Sequence, residues 1–134
     1  MTRSPKVSVI MSVLNGARFL RESIESILSQ TFPNFEFLIV NDGSTDSTGE
    51  IISSYADPRI RLIENPANRG LPVSLNKCIQ LSKGEYAARQ DADDISLPHR
   101  LELQVAEMDG NPTIGAVGGW WHSIDIEDRI VARK

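Results

Sequence analysis

Cysteine is nearly missing from this 134-residue chain, where Cys78 is the only one. A single thiol excludes an internal disulfide framework and fits a reducing compartment, so we expect a cytoplasmic protein. An excess of basic residues is missing too. Net charge is −4 with both signs interspersed, which leaves no footprint for nucleic acid and no polybasic patch for a membrane surface. No apolar run exceeds strand length, so no membrane-spanning segment is expected in this chain. The lead-in Met1-Thr2-Arg3-Ser4-Pro5-Lys6 runs straight into a strand and does not read as a signal peptide. Repeats, low-complexity tracts and Gly/Ser linkers are lacking. No Gly-x-Gly-x-x-Gly follows the first strand, where Asn15-Gly16-Ala17-Arg18 stands instead. That argues against a dinucleotide-dependent oxidoreductase. A sugar nucleotidyltransferase would want a glycine-rich phosphate loop at the same place. What remains has ordinary globular composition and a length that suits one domain, residues 1–134, with a real core.

Strand-like and helix-like segments alternate along the chain. Val7–Met11 reads as a buried strand, followed by the turn chemistry of Asn15-Gly16. Phe19, Leu20, Ile24, Ile27 and Leu28 give one core-facing helical stripe. Phe35–Val40 is a second strand, ending in the turn Asn41-Asp42-Gly43-Ser44. Ser47 and Glu50 have capping-box spacing ahead of a helix. Ile60–Ile63 is a third strand. Leu71, Leu75, Cys78 and Ile79 share a helix face. Glu85–Arg89 is a fourth strand, and Pro98 suits the first turn of a helix carrying Leu101, Val105 and Met108. Ile114–Trp121 reads as a fifth strand and Ile124–Ala132 as a polar hairpin turning at Glu127-Asp128. This order predicts an α/β fold with a mainly parallel sheet covered by helices on both faces. Ligands of such sheets bind at the carboxyl ends of the strands, near a topological switch point. Asn15, Asp42, Asn68-Arg69 and Asp91-Ala92-Asp93 fall at those ends.

The last of these is the sharpest signal. Asp91, Asp93 and Asp94 follow directly on the fourth strand. On extended backbone Asp91 and Asp93 project to the same side. Like charges crowded there need a cation to offset them. Carboxylate oxygens suit Mg²⁺ or Mn²⁺, ions that share their shell with substrate phosphates. A solvated acidic turn capping the next helix is the alternative reading. A phosphoryl-transfer receiver domain also carries acidic clusters, but after its first strand with a phosphoacceptor after the third; here they follow the second and fourth.

Taken together the motifs resemble glycosyltransferase family 2. Val7–Gly16 is similar to its opening strand and Ser26-Ile27-Leu28-Ser29-Gln30-Thr31-Phe32 to its first helix. Ile39-Val40-Asn41-Asp42-Gly43-Ser44-Thr45-Asp46, Asn68-Arg69-Gly70 and Lys83-Gly84-Glu85-Tyr86 are characteristic. Asp91-Ala92-Asp93-Asp94 with Pro98 and Arg100-Leu101 resembles its DxD metal motif and the helix after it. The resemblance covers residues 7–117. It implies a Rossmann-like GT-A fold and transfer of a sugar from a nucleotide-diphosphate donor to an acceptor hydroxyl, with inversion. It implies roles as well: Asp42 hydrogen-bonds the nucleobase, Asp91 meets the ribose or neighbouring groups, and Asp93 ligates Mn²⁺ or Mg²⁺ with Asp91 beside it. Asp94 would orient that ligand. Ser12 and Leu14 would line the base pocket, and Asn15, Asn68, Arg69 and Ala92 complete the implied donor site. Arg69 reads either as a diphosphate contact or as a solvated loop arginine. A UDP-sugar is the implied donor, and a glycan, lipid or protein the acceptor, in polysaccharide or cell-envelope glycan synthesis.

This chain departs from the family pattern in three places. Leu14 stands where an aromatic commonly stacks on the base, Ser12 where proline is common, and Asn41 where aspartate is frequent. The family's general base lies well beyond the metal motif, and Glu127 and Asp128 fall in the expected hairpin turn. We therefore expect the donor-binding half of a longer enzyme, incomplete on the acceptor side, or else a nucleotide-sugar-binding module without transfer chemistry. His99 reads as a surface or capping residue rather than a catalyst. Trp120-Trp121 could stack on an acceptor sugar or pack in an interface. Cys78 reads as an inert core residue.

Overall fold

The computed structural model describes residues 4–133; Met1-Thr2-Arg3 of the lead-in and Lys134 lie outside the described residues. The chain clusters into two compact units, one reaching to Glu102 and the other starting at Leu103. In the first unit, strands β1 (Val7–Val13), β2 (Phe35–Asp42), β3 (Ile60–Asn65) and β4 (Tyr86–Arg89) form one sheet in the order β3-β2-β1-β4. Every pairing in it is parallel. Helices α1 (Leu20–Leu28), α2 (Thr48–Ser53) and α3 (Leu71–Leu81) make the crossovers.

Nearly every residue of β1 and all of β2 are buried, the pattern of parallel strands covered on both faces. Handedness explains the covering. Crossovers between parallel strands are right-handed. The chain steps β1 to β2 to β3 in one direction, so α1 and α2 fall on one face and touch each other. The step from β3 back across the sheet to β4 runs the other way and puts α3 on the opposite face, packed on β1 and β2. Ile10, Leu38, Val40 and Cys78 form the core on that side, with Ile63 and Leu75 against it. Met11, Phe37 and Ile39, at the alternate positions, are just as buried, as are Leu20, Ile24 and Ile27 of α1. Burying side chains of this size contributes about 2 kcal/mol each. Cys78 is the core residue expected. The reversal of direction also creates a switch point between β1 and β4.

Several boundaries differ from the sequence reading. Asn41 and Asp42 belong to β2 rather than to the turn, because β3 pairs with them as Asn41↔Glu64 and Asp42↔Asn65. Ser47 makes no capping side-chain bond at α2. Asp46 accepts the Thr48 N–H through Oδ1 at 3.0 Å instead, which also places an acid at the positive end of the helix. Leu71 and Ile79 are half-exposed, since the face α3 turns to the sheet centres on Ser74 and Cys78. Pro98 precedes α4 (Arg100–Gly110) rather than sitting in its first turn. Residues 114–121 form no strand. Gly115, Gly118 and Gly119 leave that stretch little side-chain area to pack. In the second unit the described strands are β5 (His122–Ile124) and β6 (Ile130–Arg133), an antiparallel hairpin. Asp125 organises its turn, accepting the Glu127 N–H at 2.9 Å and the Arg129 Nε–H at 2.8 Å.

The run Lys83-Gly84-Glu85 serves the fold at the far edge of the sheet from the strands' carboxyl ends. A side chain on Gly84 would collide with the backbone of Val7 and Ser8. Beside it, buried Glu36 accepts hydrogen bonds from Ser8 Oγ at 2.6 Å, the Lys83 N–H at 2.6 Å and Arg61 at 3.0 Å.

Candidate functional site

The switch point opens into a cleft of about 320 Å³. Residues at the end of β1 and just after it line one side: Ser12, Leu14, Asn15 and Gly16. Residues from the end of β4 line the other: Arg89, Asp91, Ala92 and Asp93. Six of the residues expected from sequence thus share one cleft: Ser12, Leu14, Asn15, Asp91, Ala92 and Asp93. Leu14 presents a half-exposed apolar side chain there.

The acidic turn is held from beneath by side chains that never reach the cleft. Ser23 of α1 donates Oγ–H to the Asp91 carbonyl at 2.8 Å. Buried Gln90 donates through Nε2 to Ser23 Oγ at 3.1 Å and to the Asp94 carbonyl at 2.7 Å. Its Oε1 accepts from Ser96 Oγ at 2.7 Å and Arg100 Nη1 at 2.8 Å. Arg100 Nη2 reaches the Arg89 carbonyl at 2.8 Å. Gln30 ties the same loop to α1, donating to the Leu97 carbonyl at 2.7 Å and accepting the Leu101 N–H at 3.0 Å. The turn's backbone is therefore fixed at several points before any ligand is considered.

On this frame the carboxylates crowd. Burial first, and then the negative charges of Asp91 and Asp93, push the Asp94 carboxyl above its usual range. Arg89 meets the cluster directly: its Nε and Nη2 donate to Asp91 Oδ1 and Oδ2 at 2.9 and 3.1 Å.

The other loops meet at the neighbouring strand ends. Asn15 has φ +52°, and its Oδ1 accepts the Thr45 N–H at 2.8 Å. Its own N–H donates to Ser44 Oγ at 2.9 Å. Asn15 thereby locks the loop after β1 to the loop after β2. Asp42 does not line the cleft and is 2% exposed. Its Oδ1 accepts from Asn65 Nδ2 at 2.8 Å and the Arg69 N–H at 2.9 Å, and its Oδ2 accepts the Gly70 N–H at 2.9 Å. Burial acts to raise the Asp42 pKa, but these bonds outweigh it and hold the carboxyl below its usual range. Asn68 and Arg69 also lie outside the cleft lining, on the turn that Asp42 anchors. Leu71, directly after that turn, lines the cleft. The Asn68 Oδ1 accepts the Gly70 N–H at 2.9 Å, and the Arg69 side chain is exposed.

Asp91 and Asp93 supply two hard oxygen donors facing one cleft. Among the described residues no group of three or more His, Cys, Asp or Glu is placed to hold a metal ion. The pair nonetheless fits Mg²⁺ or Mn²⁺, which take one or two carboxylates and fill the remaining shell with phosphate oxygens and water.

The sequence reading missed Arg89, the last residue of β4, although it stands two residues before Asp91. Ser23, Gln90 and Arg100 were missed as supports, and nothing local in the sequence marks them. His99 makes a surface cluster at the start of α4, its Nδ1 3.0 Å from Glu102 Oε2, with Thr31 Oγ1 donating to the same oxygen at 2.9 Å. Trp120 and Trp121 are exposed. Glu127 pairs with Arg129 at 3.0 Å.

A profile of the family described as "Glycosyl transferase family 2" matches residues 8–134. The chain belongs to that family. It is 49% identical over 121 residues to the "Putative glycosyltransferase EpsE" of Bacillus subtilis, covering 88% of this chain and 44% of that protein. It is 37% identical to glycosyltransferase GlyG of Streptococcus pneumoniae, covering 84% of this chain and 39% of that one. The chain thus spans less than half the length of these relatives. Among solved structures, S. aureus TarS 1-349 in complex with UDP-GlcNAc superposes with a TM-score of 0.74 at 29% identity, over 78% of this chain and 31% of TarS 1-349. The mannosyltransferase PcManGT from Pyrobaculum calidifontis, in complex with GDP-Man and Mn²⁺, gives 0.74 at 30% identity, over 85% of this chain and 35% of that one. The fold is that of the GT-A glycosyltransferases.

Proposed function

We propose that this protein binds a nucleotide-diphosphate sugar in the β1/β4 cleft through a divalent cation, for inverting transfer of the sugar to an acceptor hydroxyl. One observation carries the reading: Asp91 and Asp93 face the same cleft at the sheet's switch point, opposite the loop after β1. The nucleotide sugars bound by TarS and PcManGT, and the Mn²⁺ bound by PcManGT, support it. Asp93, with Asp91 beside it, would hold the ion. Once bound, the ion would take up the negative charge that develops on the departing diphosphate.

The protein's own residues divide the remaining work. Ser12 and Leu14 offer a wall for the nucleoside, apolar contact replacing aromatic stacking. Asn15 keeps that wall in place through the loop after β2. Asp42 acts through the Asn68-Arg69-Gly70 turn it anchors, so that Arg69 can swing to the phosphates from a fixed base. Asp94 and Gln90 set the backbone from which Asp91 and Asp93 project. A general base must reach the acceptor hydroxyl directly or through one water. Of the residues lining the cleft, Asp91 and Asp93 are the only carboxylates, and both are assigned to the donor. The base therefore comes from outside this lining, and the chain alone is expected to bind donor with little turnover. Robust sugar transfer by these 134 residues in a coupled assay would overturn that last point and leave donor binding intact. A nucleotide-sugar-binding module without transfer chemistry would bind in the same way, and a turnover assay on the longest natural form of the protein separates the two.

Calorimetric titration of UDP, and of GDP in parallel, with Mn²⁺ and then with chelator, tests the site. Binding should need metal and fall by about 100-fold or more in Asp93→Ala, on the scale of losing a charged ligand to a bound ion. Equal binding by Asp93→Ala, or in chelator, would sink the reading.

A further inference from the structure

We propose that Arg89 is a resident counter-ion of the acidic turn. A divalent cation displaces it from Asp91, and the released guanidinium then takes the donor's diphosphate. This inference rests on the donor-site reading above. Its warrant is geometric. Arg89 spans both oxygens of Asp91, at 2.9 and 3.1 Å, and lines the same cleft as Asp91 and Asp93. A cation bound to those oxygens would sit against the guanidinium, so the two positive charges compete for one carboxylate.

The pair is built to exchange. Its side chains are 55% and 44% exposed, and an ion pair so open to water is weakly held. The backbone beneath does not have to move, because Arg100 fixes the Arg89 carbonyl at 2.8 Å. Arg100 itself cannot play the part. Its Nη1 is engaged by Gln90 and Ser96, at 2.8 and 3.0 Å. Arg89, by contrast, has its guanidinium on the cleft side, bonded to Asp91, and its planar fork fits a phosphate as well as a carboxylate. Exchange limits the cleft's excess negative charge at each stage. Arg89 covers Asp91 first, and cation and guanidinium together then cover Asp91, Asp93 and the incoming diphosphate.

Two titrations on the protein test this: Mn²⁺ alone, followed by the electron paramagnetic resonance signal of the free ion, and UDP in saturating Mn²⁺, followed by calorimetry. Arg89→Gln should bind Mn²⁺ alone about fivefold more tightly and UDP about tenfold more weakly. Arg89→Lys keeps the charge without the fork, so Mn²⁺ affinity should stay near wild type while UDP binding remains weakened. Opposite signs in Arg89→Gln are the signature, since a merely structural role would move both affinities the same way. Shifts of the same sign, or none, overturn the inference. With Asp93→Ala abolishing both signals, that outcome removes the role of Arg89 and spares the donor site. If wild type binds neither Mn²⁺ nor UDP, or Asp93→Ala binds both normally, the donor-site reading falls and this inference falls with it.

Discussion

Two sets of carboxylates sit at the carboxyl edge of one sheet in opposite conditions. Asp42, at the end of β2, is buried, and Asn65 and the Arg69 and Gly70 N–H groups donate to its two oxygens. Asp91, Asp93 and Asp94, just past β4, are partly or fully exposed and crowd one another. The protein neutralises Asp42 with its own N–H groups and so uses it to shape a loop. It fixes the backbone of the acidic turn from beneath and covers its carboxylates only with the exposed guanidinium of Arg89 on Asp91. The lesson is one of accounting for donors: an acid whose bonds are all made within the fold is structural, and an acid whose backbone is fixed while its oxygens are left over is available to a ligand.

The comparison can be broken most sharply by removing one acid from each set. Asp42→Ala removes the acceptor of the buried Asn65 amide and of the part-buried Arg69 N–H and should cost about 3 kcal/mol of stability, read as a loss of about 10 °C in Tm. Asp93→Ala should leave stability within about 0.5 kcal/mol of wild type while abolishing metal-dependent nucleotide binding. Equal losses of stability in the two variants would erase the distinction.

Acid titration sharpens it further. Asp42 and Glu36 are both buried, which by itself would raise their pKa values. Hydrogen bonds from Asn65, Ser74 and the 69–70 backbone for Asp42, and from Ser8, Lys83 and Arg61 for Glu36, more than offset this. Because the folded values lie below the ordinary 3.8 and 4.5, their stabilisation is complete above that range. It is lost as pH falls through the folded values. Thermal melts from pH 7 downward should show a steep acid loss in wild type and a shallower one in Asp42→Ala. A variant slope equal to that of wild type would mean that Asp42 carries none of it. The smallest effect is expected at Asn15, the clasp between the β1 and β2 loops. Asn15→Ala should cost about 1 kcal/mol in a denaturant melt and weaken nucleotide binding modestly by loosening the cleft wall; unchanged values in both would free Asn15 from the role assigned here.

Much of this was legible along the chain. The unbroken apolar runs at Val7–Met11 and Phe35–Val40 identify strands buried on both faces, and right-handed crossovers then leave few topologies. Asp91 and Asp93 were paired on the alternation of extended backbone, but residues 91–94 form a turn closed by the Asp94 N–H on the Asp91 carbonyl at 3.2 Å, and that turn brings both acids to the cleft. Other features were not legible. Asn41 and Asp42 read as a turn because their composition is that of one, and only pairing with β3 makes them strand. Residues 114–121 read as strand on apolar content alone, and three glycines undo it. Ser47 has capping-box spacing, yet Asp46 reaches the helix N–H first. Ser23, Gln30 and Gln90 look like ordinary polar residues of a helix or strand end, and their work is done across sequence separations of 67 to 71 residues.

By itself the sequence determined the alternation of strands and helices, the family, and the presence of a crowded acidic turn after the fourth strand, because periodicity and local charge are properties of neighbouring residues. Tertiary structure alone decided which acids are satisfied by buried donors. It brought the Arg69 and Gly70 N–H groups to Asp42, and placed the supports from α1 and α4 under residues 90–96. Whether a carboxylate is satisfied depends on donors that are distant in the chain and meet only once the sheet has closed its order.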